Sequence, residues 1–128
     1  MKERLLELLN KSYSPYSNFK VAAIVVTNDN KGYTGVNIEN ASFGATVCAE
    51  RVAILKAVSE GYKKGSFKEL HVMCDSVKIS SCCFLCRQVI SEFFDENAKI
   101  ILYNNLGENK EYTVSNLCPL PFSEDDLK

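Results

Sequence analysis

The sequence predicts an α/β fold: a single mixed β-sheet of about five strands with helices packed against it. Two observations carry that reading. Segments of helical character at 48–60 and 83–94 alternate with short apolar, β-branched runs, in the order α-β-β-α-β-α-β-β-α. The 128 residues, 46% apolar and 24% charged, also match a soluble globular chain able to bury one core. No repeat, linker or low-complexity stretch interrupts residues 1–128, which read as a single domain.

Leu5, Leu6, Leu8 and Leu9 lie mostly on one side of a first short helix, which must end before Pro15. Phe19 to Thr27 is apolar and β-branched, the turn-rich Asn28–Gly32 follows, and Tyr33 to Ile38 alternates as a return strand, so this region is a hairpin. In the helix from Cys48 to Glu60, Val52, Leu55 and Ser59 share one side, Ile54 and Val58 lie adjacent, and Gly61 is the stop. Leu70 to Cys74 is a strand. Cys83 to Phe94 is a second helix with Val89, Ile90, Phe93 and Phe94 inward. Lys99 to Tyr103 is a strand, Asn104 to Asn109 turns, and Glu111 to Val114 is extended. Ser123 caps a last short helix that opens with acidic residues.

A formal net charge of −1 with no block of like charges excludes the basic face of a duplex nucleic-acid binder, and leaves a small neutral or weakly charged ligand. Glu3, Arg4 and Glu7 break the leucines of MKERLLELLNKS, so no signal-type apolar run forms, and no segment approaches the ~20 apolar residues of a membrane span. The expectation is a cytoplasmic chain with reduced cysteines. Six cysteines then argue for metal binding or catalysis rather than a disulfide frame.

Alone, the Cys83-x-x-Cys86 pair fits a redox dithiol, half of a structural zinc site, or part of a catalytic one. Position narrows the choice. Cys48 opens one predicted helix, and Cys83 and Cys86 open another. Helix N-termini favour thiolates, because unpaired N–H groups and the macrodipole stabilise negative charge. Two such starts converging on one ion supply three thiolates and leave a fourth position open, the arrangement of a catalytic zinc. Glu50, two residues beyond Cys48, can then lie beside the open position without ligating and move protons there. Cys-x-Glu followed by Cys-x-x-Cys is the described signature of zinc-dependent deaminases acting on nucleobases.

With these residues in view, the chain resembles the small, homotetrameric cytidine deaminases over nearly its whole length. The resemblance is carried by SPYSNFKVAA (14–23), TGVNIENASF (34–43), VCAERVAILKAVSEGY (47–62), CFLCRQVISEF (83–93) and LCPLPFSEDDL (117–127). It implies one Zn²⁺ per chain held by Cys48, Cys83 and Cys86, with Glu50 as proton shuttle. It implies that Phe19 stacks on the pyrimidine, that Asn37 and Glu39 bond the ribose hydroxyl, and that Ala49 and Ser81 contact the base. Phe122 would reach a neighbouring subunit's site in a homotetramer. Arg51 would donate to a thiolate and offset the −1 charge of a zinc tris-thiolate, and Gln88 would be a second donor to the cluster. The implied reaction is hydrolysis of cytidine or deoxycytidine to the uridine product and ammonia, in pyrimidine salvage.

The match departs from the family at the second cysteine motif, where the family reads Pro-Cys-Gly-x-Cys. Cys82 replaces the proline and removes its φ restraint just where the Ser81 backbone faces the leaving amino group. Phe84 replaces the glycine and puts a bulky ring near the metal, and Leu85 replaces a small residue. Cys82 is read as a bystander open to oxidation, Cys74 and Cys118 as buried apolar residues, and the lone His71 as structural. Ala22 stands where the family has glycine. Aminonucleoside-antibiotic deaminases share the zinc motif, but NIEN (37–40) is closer to the cytidine enzymes. A zinc-binding interaction module closed by Cys118 as fourth ligand would leave Glu50 and NIEN without a purpose.

Overall fold

In the computed structural model, which describes residues 1–128, five strands form one mixed sheet in the order β2-β1-β3-β4-β5. The strands are β1 (Val21–Thr27), β2 (Gly32–Val36), β3 (Phe67–Cys74), β4 (Phe94–Tyr103) and β5 (Asn109–Thr113). The helices are α1 (Lys2–Leu9), α2 (Ala49–Ser59), α3 (Phe84–Phe93) and α4 (Val114–Leu117), with 3₁₀ turns at Phe43–Ala45 and Glu124–Leu127. Only β3 and β4 run parallel, and α3 is the crossover between them. The other neighbours are antiparallel. The predicted mixed sheet and its hairpin are borne out.

The sheet is covered on both faces, which is why β1 reads as a continuous apolar run. Alternate residues serve two cores. Ala23, Val25, Leu70, Val72, Ile100 and Leu102 face α2, α3 and α4. Ala22, Ile24, Met73, Ile101 and Tyr103 face α1, which contributes Leu5, Leu8 and Leu9. His71 is buried on this second face between the Tyr103 hydroxyl (2.8 Å from Nδ1) and Glu69 (3.0 Å from Nε2), a structural histidine as expected.

Several expectations change. In α2 the buried stripe is Ala49, Glu50, Ala53, Ile54 and Ala57, while Leu55 is exposed. The side that Val52, Leu55 and Ser59 share is therefore the outer one. Gly35 of β2 explains it: a Cβ there would lie 2.4 Å from the Ala49 carbonyl oxygen and 2.5 Å from the Ala53 nitrogen. So close an approach admits only alanines on the helix side. The Gly61 stop holds: with φ +106° it ends α2 while Gly61 N–H bonds Val58 and Tyr62 N–H bonds Ala57. Phe94 leaves α3 and begins β4, and α4 replaces the end of the predicted last strand, capped by reciprocal Thr113–Asn116 bonds.

Candidate active site

Both cysteine-bearing helices start alike. Cys48 is the N-cap of α2 at φ −71°, ψ 153°, and Cys83 is the N-cap of α3 at φ −68°, ψ 164°. Both N-caps are extended, and Cys86 joins them from the first turn of α3. The three sulfurs lie within 4.8 Å of one another, with Cys48–Cys83 at 3.7 Å and Cys83–Cys86 at 3.5 Å. Tetrahedral Zn–S bonds of about 2.3 Å require sulfurs roughly 3.8 Å apart. The donor set therefore fits zinc in spacing as well as in chemistry.

The electrostatics agree. The Cys48 thiol is lowered to about 5, first by its hydrogen bond with Cys86 and then, against desolvation, by Arg51 and Cys83. The Cys86 thiol is pushed up by the same interaction with Cys48 and by burial, as expected of neighbouring thiols that share one proton. A dication here would take the place of that proton. Arg51 Nη2 lies 3.6 Å from Cys48 Sγ, where the sequence reading puts it. Cys118 is elsewhere, its thiol donating to the Arg87 carbonyl at 3.5 Å, which removes the closed four-cysteine reading.

Glu50, in the first turn of α2, is 5% exposed. Desolvation holds its carboxyl above the usual range, and the Cys48 thiolate adds to the shift. It lines a pocket of about 190 Å³ together with Phe19, Asn37, Cys48, Ala49, Ser81 and Cys83. Residues 19, 37, 48–50, 81 and 83 thus meet in one cavity. Val72 and Cys74 of β3 also line it, as do Thr46 and Ser80, none of which the sequence marks as site residues.

Asn37 and Glu39 stand apart in use. Asn37 Oδ1 accepts from Val21 N–H (2.9 Å) and Ser12 Oγ (2.5 Å), and Nδ2 donates to the Phe19 carbonyl at 2.7 Å. Glu39 binds the backbone N–H groups of Tyr16 (3.0 Å) and Ser17 (3.1 Å) and the Ser17 hydroxyl. Those bonds hold its carboxyl below the usual range, the Ser17 hydroxyl first. Both side chains brace the loop that carries Phe19.

Three expectations at the second cysteine motif are corrected. Phe84 is 78% exposed and points away from the cavity into a groove lined also by Gln88, Leu120 and Phe122, so it adds no bulk beside the sulfurs. Gln88 Nε2 donates to the Phe122 carbonyl at 2.9 Å rather than to a cysteine, because its position on α3 faces the C-terminal tail. Cys82 is 4% exposed and its thiol is pushed far up by burial, with Glu50 adding to the shift, which makes it inert rather than oxidisable.

Three clustered thiols at two helix starts, beside a buried carboxyl, define a class: zinc-dependent hydrolases of the deaminase type. Residues 1–103 match the family model described as the cytidine and deoxycytidylate deaminase zinc-binding region, and the chain belongs to that family. It is 44% identical to a cytidine deaminase of Sporosarcina psychrophila over 91% of this chain and 85% of the relative. With one from Halalkalibacterium halodurans the figures are 40%, 91% and 86%. The crystal structure of a cytidine deaminase from Burkholderia pseudomallei superposes with a TM-score of 0.87 at 37% identity, covering 95% of this chain and 99% of the other.

Proposed function

We propose that this chain hydrolyses cytidine and deoxycytidine to the corresponding uridine and ammonia. The observation that carries the reading is the buried Glu50 carboxyl in one cavity with Cys48, Cys83 and Phe19. Cys48, Cys83 and Cys86 hold one zinc, which when bound supplies the Lewis acid that makes water a nucleophile near neutral pH. Phe19 at the mouth stacks on the pyrimidine ring, and Ala49 and Ser81 flank the base. Glu50 takes the proton of the attacking water and delivers it to ring N3 as oxygen bonds to C4. Glu50 then carries the proton of the new C4 hydroxyl to the amino group, and the C4–N4 bond breaks to release ammonia as the C4 carbonyl forms. Asn37 presents its remaining amide hydrogen to the ribose hydroxyl, with Glu39 as the support of that corner.

The same reading takes residues 1–128 as one domain assembling as a homotetramer, with Phe122 completing a neighbour's site. Support comes from exposed apolar side chains on the outer face of α2 (Leu55) and at Phe84, Leu85 and Leu120. A cytoplasmic role in pyrimidine salvage suits six cysteines that are all unpaired.

The test is metal content by mass spectrometry, beside ultraviolet loss of cytidine, for wild type and Glu50→Ala. About one zinc per chain in both proteins, with kcat lower in the variant by about 10²–10⁴, is the expected result. Zinc without turnover of cytidine or deoxycytidine overturns the reading.

A further inference from the structure

The segment from Ile79 to Cys82 leads into the second pair of sulfurs, yet it makes no backbone–backbone hydrogen bond. The bonds to its Ser81 hydroxyl and Cys82 carbonyl come from one residue. Arg87 Nε donates to the Cys82 carbonyl at 2.9 Å and Nη2 to the Ser81 hydroxyl at 2.8 Å. Nη1 reaches across to the Leu117 carbonyl of α4 at 3.1 Å. The exposed Phe84 ring stacks over the guanidinium, 4.4 Å from its centre. A planar fork anchored at one end to a helix and at the other to two consecutive residues fixes both position and orientation of the segment.

We infer that Arg87, with Phe84 as its cover, is the positioning residue that sets the Ser81–Cys82–Cys83 backbone for substrate and metal. Cys82 has no φ restraint of its own, and the guanidinium supplies from the side what a proline ring would supply from within the chain. The inference rests on the proposed cytidine chemistry for its kinetic consequence, but the restraint itself is a property of the metal-free chain. Arg87 touches neither the sulfurs nor the cavity, since it lies on the groove side of α3.

The experiment is amide hydrogen exchange across residues 79–83 in metal-free and zinc-loaded protein, with kcat, KM and zinc content, for wild type, Arg87→Ala, Arg87→Lys and Arg87→Ala/Cys82→Pro. In Arg87→Ala the segment exchanges about tenfold faster in both forms while zinc remains bound. Its kcat falls about 10–100-fold with KM within about threefold, the pattern of misplaced reacting groups. Arg87→Lys, which keeps the charge but loses the fork, falls between. Cys82→Pro in the Arg87→Ala background recovers about half of the lost kcat on a logarithmic scale, because the ring restores the missing φ restraint. Unchanged exchange in Arg87→Ala, or in Arg87→Lys if the alanine variant does not fold, overturns the assignment. A loss of kcat that only tracks zinc content, or that Cys82→Pro leaves untouched, overturns it as well. If the wild type turns over no cytidine at all, the function reading fails while the exchange data still decide the role of Arg87.

Discussion

The two helix starts that bring the sulfurs together are built in opposite ways. At α2 the start is buried: Ala49 and Glu50 are inside, Ala53 follows one turn on, and the backbone of β2 lies against them at Gly35. At α3 the start is open: Cys83, Phe84 and Leu85 are exposed, only Cys82 and Cys86 point inward, and Arg87 supplies the bonds to the Ser81 hydroxyl and Cys82 carbonyl of the approach. The half that carries the proton-moving carboxyl is positioned by packing, and the half that supplies two of three sulfurs is positioned by polar bonds. Packing resists displacement in every direction, whereas a few hydrogen bonds resist it only along their own axes.

Metal removal gives the largest contrast. Chelation abolishes the proposed activity, and amide exchange across 79–86 then rises while Val52 to Ala57 stays protected, because the second segment lies within the helical hydrogen bonds of α2 and the first is a loop and a first helical turn. Equal loosening of both segments would break the comparison.

Gly35→Ala tests the packed half. The added methyl meets two backbone atoms of α2, neither of which can rotate away, so β2 and α2 must separate. Overpacking of that kind costs about 3 kcal/mol, read as a lower urea midpoint at unchanged m. Leu55→Ala, on the exposed face of the same helix, leaves the midpoint of the isolated chain within about 0.5 kcal/mol.

That pair of variants also shows what was legible in the sequence. Helix periodicity locates α2 and groups Val52, Leu55 and Ser59 on one side, but does not say that the alanines of the other side face the sheet. Only the contact with Gly35, on a different element, reveals why alanines face the sheet. α4 and the 3₁₀ turn at Phe43–Ala45 are too short to show a period at all. In the candidate site, Cys48, Glu50, Cys83 and Cys86 stood out because two motifs repeat a spacing that metal chemistry demands. Arg87 did not, since an arginine one turn into a helix is a solvated charge in most sequences, and its three acceptors are backbone and hydroxyl oxygens that leave no pattern.

Arg51 sits at the junction of the two halves. Its Nη2 contacts Cys48, while its Nε is buried without a partner in the chain. Arg51→Gln keeps some of the packing and removes the positive charge from beside the thiolate. Zinc affinity in competition with a chelator falls about 10–100-fold, and a larger loss than that of Arg87→Ala is expected. Unaltered affinity would show that the guanidinium does not serve the sulfurs.

The smallest effect belongs to Glu39, which braces the Phe19 loop through charge-assisted bonds of its own. Its folded pKa is lowered by the Ser17 hydroxyl and by the N–H groups of Ser17 and Tyr16, so the folded state favours the carboxylate. That contribution is fully present above the unfolded carboxyl value of about 4.3 and is lost as pH falls through the depressed folded value. Glu39→Gln, which can still accept from both N–H groups but carries no charge, is therefore slightly less stable than wild type at pH 7. The gap closes as pH drops below about 4.3. Urea unfolding of both proteins at pH 7 and at pH 3 checks it. A gap that persists or widens at the lower pH would mean that the bonds owe nothing to the charge, and that the Phe19 loop is held by shape, like α2, rather than by polar contacts, like the entry to α3.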